Sequence, residues 1–255
     1  MSKVYFVGAG PGAIDLITVR GMNLVKSADV IIYAGSLVNP QLLEYAQEGT
    51  TIHNSALMTL QEVIEVIKES VAKNLKVVRL HTGEQSIYGA VREQMDALDK
   101  LGIEYESCPG VSACFGAAAS LNIEYTLPDV SQTLIITRME GKTSVPEAES
   151  IESLAKHKAS MAIYLSSGML EELTKRLING GYPETTPAAL VYKATWPEEK
   201  SFLCELKDIP KIASKNNISK TAVVLVGDAI GHKEYALSRL YADDFSTEFR
   251  SAKNV

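Results

Sequence analysis

Between Lys3 and Ser107, short apolar runs alternate with segments of helical period. The runs are Lys3 to Gly8, Asp29 to Ala34, Lys76 to Leu80 and Ile103 to Ser107. Between them Leu16 to Ala28, a segment starting at Thr59, and Tyr88 to Leu101 read as helices. The Thr59 segment puts Leu60, Val63, Ile64, Ile67 and Val71 on one face, the spacing of an amphipathic helix. Strand-helix alternation of this kind predicts a parallel or mostly parallel α/β sheet, because each parallel strand must be reached through a crossover.

The second half follows a different pattern. Pro109-Gly110 leads into VSACFGAAASL, where Ala113 and Gly116 to Ala119 make a helix with almost no side-chain bulk. Such a helix either admits another backbone or a ligand, or packs tightly on a sheet. Tyr125 to Val130 reads as a connection. Strands are predicted near Thr133 to Thr137, Ser160 to Leu165, Ala188 to Tyr192, Ser201 to Leu206 and Ala222 to Val226. Two consecutive ones flank Trp196-Pro197, which predicts a hairpin and hence a mixed sheet. A chain of 255 residues lies near the length at which single cores divide. Two α/β domains are therefore expected, residues 1–118 and 119–245, with a tail at 246–255.

Composition narrows the function classes. The longest apolar runs, such as Val30 to Ala34 and Ala222 to Val226, fall far short of the ~20 residues of a membrane span. The start, Met1-Ser2-Lys3 leading into a short strand, does not read as a signal peptide. Cys108, Cys114 and Cys204 form no disulfide framework and no Cys-x-x-Cys metal spacing, so reduced thiols in a cytoplasmic protein are expected. Against 25 basic residues stand 31 acidic ones, a net charge of −6. That argues against general nucleic-acid binding. It leaves room for an anionic small molecule met by local arginines.

The loop Gly8-Ala9-Gly10-Pro11-Gly12-Ala13 follows the first strand directly. Glycines there permit a sharp turn and close backbone approach. Read as G-x-G-x-x-A, it matches a dinucleotide fingerprint, but Pro11 removes an amide donor. The second strand also ends at Tyr33-Ala34-Gly35, without the acid that would hold a ribose. No G-x-x-x-x-G-K-[ST] occurs, so nothing supports nucleotide hydrolysis. A second loop, His81-Thr82-Gly83-Glu84-Gln85-Ser86-Ile87-Tyr88, follows a buried strand. Glu84 there is either a ligand acceptor or a solvated loop acid. His81 reads as structural, having no nucleophile or metal companion. Arg138 and Lys142 end a strand and either meet ligand carboxylates or leave Arg138 paired with Glu140. Trp196, the one tryptophan, reads as a packing or rim residue. His53, His157 and His232 are scattered and receive no role.

Taken in order, GAGPG with DLITVRG, DVIIYAGSLV, HTGEQSIYGAVREQ, PGVSACFGAAA, SQTLIITRMEGKT and VYKATWP resemble the tetrapyrrole methylases. These enzymes methylate corrin and porphyrin precursors with S-adenosylmethionine. EYTLPDVSQTLIITRMEGKT and VYKATWP resemble in particular the branch acting at C11 of a corrin precursor. The resemblance spans residue 4 to about 245. It implies two α/β domains with the methyl donor in a cleft between them, a tetrapyrrole substrate, and a homodimer. It also implies donor contacts at Pro11, Gly83, Glu84, Ile87, Ser112, Ala113, Leu165, Ala194, Thr221 and Ala222. Arg20, Arg79, Arg92 and Arg138 are the candidates to meet substrate carboxylates, and Glu84 and Tyr88 to handle a proton. The chain departs from the family in having Glu84-Gln85 where the loop usually reads Asp, often followed by Pro. It also has Ala13-Ile14 where Asp-Pro is usual.

Methyl transfer from a sulfonium to carbon is an in-line displacement. It needs no metal, nucleophilic side chain or phosphate loop, which suits the motifs present. Competing readings are another tetrapyrrole methylase, such as one acting on uroporphyrinogen III, and a non-catalytic protein that binds donor or tetrapyrrole. A nicotinamide dehydrogenase is a third, opposed by the missing ribose acid.

Overall fold

The computed structural model describes residues 3–231 and 234–253. By its contacts the chain divides into two compact units. One holds residues 1–120 together with 193–199, the other 121–192 and 200–255. The segment 193–199, placed by the sequence pattern inside the second half, thus packs with the first.

The first unit contains β1 (Val4–Gly8), α1 (Val19–Lys26), β2 (Val30–Tyr33), β3 (Thr51–Asn54), α2 (Leu60–Ala72), β4 (Val77–His81), α3 (Arg92–Leu101) and β5 (Tyr105–Cys108). The strands form one sheet of order β3-β2-β4-β1-β5, and every pairing in it is parallel. Alternation along each strand sends side chains to two separate cores. Val7, Ile31, Val78 and Leu80 join one with Ile17 and Val25. Val4, Phe6, Val30, Ile32 and Val77 join the other with Val63, Ile67 and Leu98. A parallel sheet buried on both faces needs such continuous apolar runs.

Thr59 caps α2. Its hydroxyl accepts from the Glu62 amide at 3.3 Å while Glu62 accepts from the Thr59 amide at 2.6 Å. This reciprocal box fixes where the predicted helix begins. Two elements differ from the sequence reading. The strand β3 was not foreseen, because it is an edge strand of mixed polarity, with Thr51 and Ile52 exposed. The helix expected from Tyr88 starts instead at Arg92, since Tyr88 and Ala90 take left-handed φ of 56° and 49°, which no helix accommodates.

Helix α4 (Ala113–Leu121) is as expected. The second unit contains β6 (Leu134–Arg138), α5 (Ile151–Ala155), β7 (Ser160–Tyr164), α6 (Leu170–Asn179), β8 (Pro187–Tyr192), β9 (Lys200–Glu205), α7 (Ile209–Lys215) and β10 (Ala222–Val226). Its sheet has the order β6-β7-β10-β8-β9. Only β6 and β7 are parallel there; the other pairings are antiparallel. The mixed sheet and the β8–β9 hairpin agree with the sequence reading. Among the described residues no helix is long and apolar enough to cross a membrane.

Candidate functional site

In the first unit β1, β4 and β5 run side by side, with Gly8 opposite His81 and Val7 opposite Cys108. The loops that follow them therefore leave one sheet edge together, the edge where open α/β sheets bind ligands. The Ala9 amide donates to the His81 carbonyl at 2.7 Å, and Gly10 and Gly83 exchange both backbone bonds at 3.2 and 2.9 Å. Glycine is required where the three loops meet. A Cβ on Gly110 would lie 2.1 Å from the Gly83 oxygen and 2.7 Å from the Gly8 Cα. Pro11, Gly83, Glu84, Ile87 and Ser112 belong to these loops, and Ala113 opens the helix that follows the third.

Glu84 ties two of them. Its carboxylate accepts from the Gly110 amide at 2.7 Å and from the Ser86 amide at 3.0 Å. Burial alone would raise this carboxyl, but the bonds from Ser86 and Gly110 outweigh it and hold its pKa below the ordinary glutamate value. With both oxygens engaged and the charge retained, the group is built as a strut rather than a proton acceptor. Of the two readings left open for Glu84, a solvated loop acid does not describe it, and a ligand would have to share a carboxylate that already holds two loop amides. Tyr88 is half-exposed on its left-handed turn. In the same loop Thr82 Oγ1 and Gln85 Oε1 are buried without a hydrogen-bond partner among the described residues.

The GAGPGA loop is held from two sides. Asn39, buried at 6% exposure, donates to the Gly12 carbonyl at 2.8 Å. Trp196 Nε1 donates to the Pro11 carbonyl at 3.0 Å, and the Ala13 amide donates to Thr195 Oγ1 at 3.0 Å. Glu199 accepts from Ser120 Oγ at 2.7 Å and from the Thr195 amide. Gly116 explains the bare helix α4, because a Cβ there would meet the Pro11 ring at 2.9 Å and the Thr195 methyl at 3.1 Å. What approaches this helix closely is thus the chain's own loop. Ala194 is buried in the same segment. Sequence reasoning missed Asn39, Thr195 and Glu199 and gave Trp196 only a packing role. The available signal was a buried-type Asn before Pro40 and a TWP turn.

In the second unit, register gathers the remaining residues at one sheet end. Arg138 lies opposite Tyr164, and Ala222 opposite Tyr192. Leu165 follows β7 and is exposed, with φ of 53°; Thr221 precedes β10 with φ of 55°. Ser167 Oγ donates to the Ala222 carbonyl at 3.0 Å. Left-handed φ occurs at Tyr88, Ala90, Lys158, Leu165, Lys193, Thr195 and Thr221, types that resist it, and at Asn74, Asn122, Asp129 and Asn217, which tolerate it; of the first group all but Lys158 lie in the segments described above. Such strain persists only where surroundings over-determine it, and it concentrates at functional positions.

The proposed arginines need correction. Arg79 is 6% exposed and donates to Gln94 Oε1 at 3.0 Å and to the Ile32 carbonyl at 3.1 Å. It holds β4 and β2 in place and is not available to a substrate. Burial lowers its pKa to about 10. His81 is buried, stacks on Phe6 and is held neutral, its pKa lowered to about 3 by burial and by Arg79. Arg92 pairs with Asp96 and Asp99 of its own helix at 2.6 and 2.9 Å. Arg20 pairs with Glu106 at 3.5 Å. Arg138 does not pair with Glu140. It donates to the carbonyls of Met139 and Ser144 at 3.0 and 2.8 Å, closing its own loop, and Glu140 pairs with Arg176. Lys142 is exposed. His53 lies on β3 and His157 beyond α5, while His232 falls outside the described residues.

Comparison with known proteins is consistent with this architecture. The profile of the family described as "Tetrapyrrole (Corrin/Porphyrin) Methylases" matches residues 3–210. The chain is 52% identical over 98% of its length to a cobalt-precorrin-4 C(11)-methyltransferase of Methanocaldococcus jannaschii, covering 96% of that protein. It is 42% identical to one from Priestia megaterium, over 97% of each. A solved cobalamin biosynthetic enzyme, cobalt precorrin-4 methyltransferase, superposes with a TM-score of 0.88 at 44% identity, covering 89% of this chain and 95% of that one.

Proposed function

We propose that this chain, which belongs to the tetrapyrrole (corrin/porphyrin) methylases, transfers a methyl group from S-adenosylmethionine to C11 of precorrin-4 or its cobalt form in cobalamin biosynthesis. The observation that carries this reading is the near full-length likeness to relatives named for that reaction. The loop geometry of the first unit agrees with it. S-adenosylmethionine, when bound, supplies a methyl group made electrophilic by its sulfonium. The residues present fit such a donor. Gln85 Oε1 and Thr82 Oγ1, beside Gly83, are buried without a hydrogen-bond partner among the described residues, and buried polar atoms of this kind call for one.

The work left to the protein is orientation. Pro11, Gly83, Glu84, Ile87, Ser112, Ala113 and Ala194 are proposed to hold the donor from the first unit. Leu165, Thr221 and Ala222 are proposed as donor contacts on the family resemblance alone. Loops joined backbone to backbone cannot drift independently, and holding two reactants in near-attack geometry contributes roughly 7–11 kcal/mol. Arg20, Arg92 and Arg138 remain proposals for the substrate carboxylates, each now known to carry a protein partner it would have to share. Cytoplasmic location and a homodimer are proposed with the same standing.

The first test is a thermal melt with S-adenosylhomocysteine, with NADH as control. At 100 times its dissociation constant, a ligand specific for the folded state adds about 2.7 kcal/mol, or roughly 5–11 °C for a chain of this size. Incubation with donor and cobalt-precorrin-4 should then add one methyl at C11. Tight donor binding without that product would favour the non-catalytic reading, and methylation at another ring position would favour a different family member.

A second prediction concerns Glu84. Glu84→Gln should cost about 1–2 kcal/mol at pH 7 by weakening charge-assisted bonds to Gly110 and Ser86. The folded-state pKa is depressed, so the contribution is present above the unfolded glutamate value and lost as pH falls through the folded one. The gap between the two proteins should therefore begin to close as pH falls below the ordinary glutamate value of about 4.3 and vanish only once pH is below the depressed folded value. A gap that stays constant with pH, with no narrowing toward the acid limit, would show that the charge is not what holds the loops.

A further inference from the structure

The polar atoms of the GAGPGA loop leave little freedom for its peptide planes, and one short segment does most of the holding. Pro11 has no amide hydrogen, and its carbonyl accepts from the Trp196 indole at 3.0 Å. The Ala13 amide, two residues on, donates to Thr195 Oγ1 at 3.0 Å. Thr195 is itself fixed, because its amide donates to Glu199, and Glu199 is anchored on α4 through Ser120 Oγ at 2.7 Å. The indole also packs against Gly12, where a Cβ would come within 2.1 Å of Trp196 Cδ1. Lys193 Nζ sits 5.2 Å from the centroid of the same ring and 3.5 Å from Glu198, steadying it from the far side.

We propose that Thr195, Trp196 and Glu199 are positioning residues for methyl transfer. They clamp the Pro11–Ala13 backbone in the one orientation that the donor meets. This rests on the donor reading above. The Trp196 indole and the Thr195 hydroxyl end on two different polar groups of the same loop, the Pro11 carbonyl and the Ala13 amide, so together they fix the peptide planes between them. A β-branched residue does not hold a left-handed φ of 67° unless several bonds require it. Thr195 carries two such bonds, one at its amide and one at its hydroxyl. The clamp acts on geometry alone and touches no reacting atom. Its loss would let the loop planes rotate, which displaces a ligand by a fraction of an ångström and weakens its hold.

Trp196 is the only tryptophan in the chain, so its emission reports this one contact. The experiment compares wild type, Trp196→Phe, Thr195→Val and Thr195→Ser. S-adenosylhomocysteine is titrated by calorimetry and, in the tryptophan-bearing proteins, by emission. One net hydrogen bond corresponds to a three- to tenfold change in affinity. The expected result is that Trp196→Phe and Thr195→Val each bind roughly three- to tenfold more weakly while melting within a few degrees of wild type. Thr195→Ser, which keeps the hydroxyl, should restore affinity to within about twofold. Wild-type emission should change with the same midpoint as the heat signal, and in turnover the loss should fall on the donor KM rather than on kcat. If wild type binds tightly and both variants bind equally well, the clamp is overturned and the donor reading stands. If variants lose melting temperature but keep affinity, the segment is structural only and the proposal fails. If wild type itself neither releases heat nor changes emission, the donor reading fails and takes the proposal with it.

Discussion

Gly110→Ala is expected to lower the melting temperature by roughly 6–12 °C and to abolish the stabilisation by S-adenosylhomocysteine. The added methyl would sit 2.1 Å from the Gly83 oxygen and 2.7 Å from the Gly8 Cα. Both are backbone atoms of neighbouring loops, and neither can rotate aside as a side-chain tip can. Relief requires the loops after β1, β4 and β5 to separate. Separation also stretches the bond from the Gly110 amide to Glu84, now 2.7 Å. Overpacking of this kind costs about 3 kcal/mol, equivalent to 2–4 °C per kcal/mol at this chain length. Gly102→Ala is the control. It sits at a helix end with φ of 66° and nothing within 4 Å of its would-be Cβ, so it should cost only about 1 kcal/mol of backbone strain. It should leave ligand binding intact. If the two variants were equally mild, the close meeting of the three loops would not be what shapes the site.

That meeting was only half legible in the sequence. The alternation of short apolar runs with helical periods announced a parallel sheet, and the mixed second sheet followed from two strands flanking Trp196-Pro197. Both patterns are local, set by neighbours two to four residues apart. What stayed hidden depends on pairs far apart in the chain. The bare helix around Gly116 left open another backbone, a ligand or tight packing on a sheet, and only the structure shows that its close neighbours are Pro11 and Thr195, 105 and 79 positions away by number. Arg79 was among the arginines offered to substrate carboxylates, and its bonds to Gln94 and the Ile32 carbonyl, from a strand in the middle of the sheet, show it to be internal. Glu84 shows the same limit. Its loop was correctly singled out, but the amide it holds belongs to Gly110, and no spacing rule reveals that. A glutamate in place of the family's usual aspartate reads as a departure in sequence. In the structure it is a strut that spans the gap between two loops and keeps its charge.

The second large effect is expected in the other unit. Arg176 on α6 binds Glu152 of α5 through two bonds of 2.7 Å and also pairs with Glu140 beyond β6. Its side chain is 13% exposed, against 36% for Glu152 and 44% for Glu140. Arg176→Ala should therefore cost about 2–4 kcal/mol at pH 7. It leaves two carboxylates facing each other without their cation, and the planar fork that joined two helices is gone. The cost falls short of that of a fully buried orphan because water reaches both acids. The pH dependence separates this from mere loss of packing. Hydrogen bonds from Arg176 hold the Glu140 and Glu152 carboxyls below the ordinary glutamate range. A depressed pKa contributes stability above the unfolded value, and that contribution disappears as pH falls through the folded one. The gap in melting temperature between wild type and variant should thus be widest near pH 7 and shrink steadily from about pH 4.5 downward. Were the gap unchanged at pH 3, Arg176 would be acting through its alkyl stem, as arginines laid across apolar surface can. Glu152→Gln, which keeps one acceptor and the packing, would then match wild type at every pH.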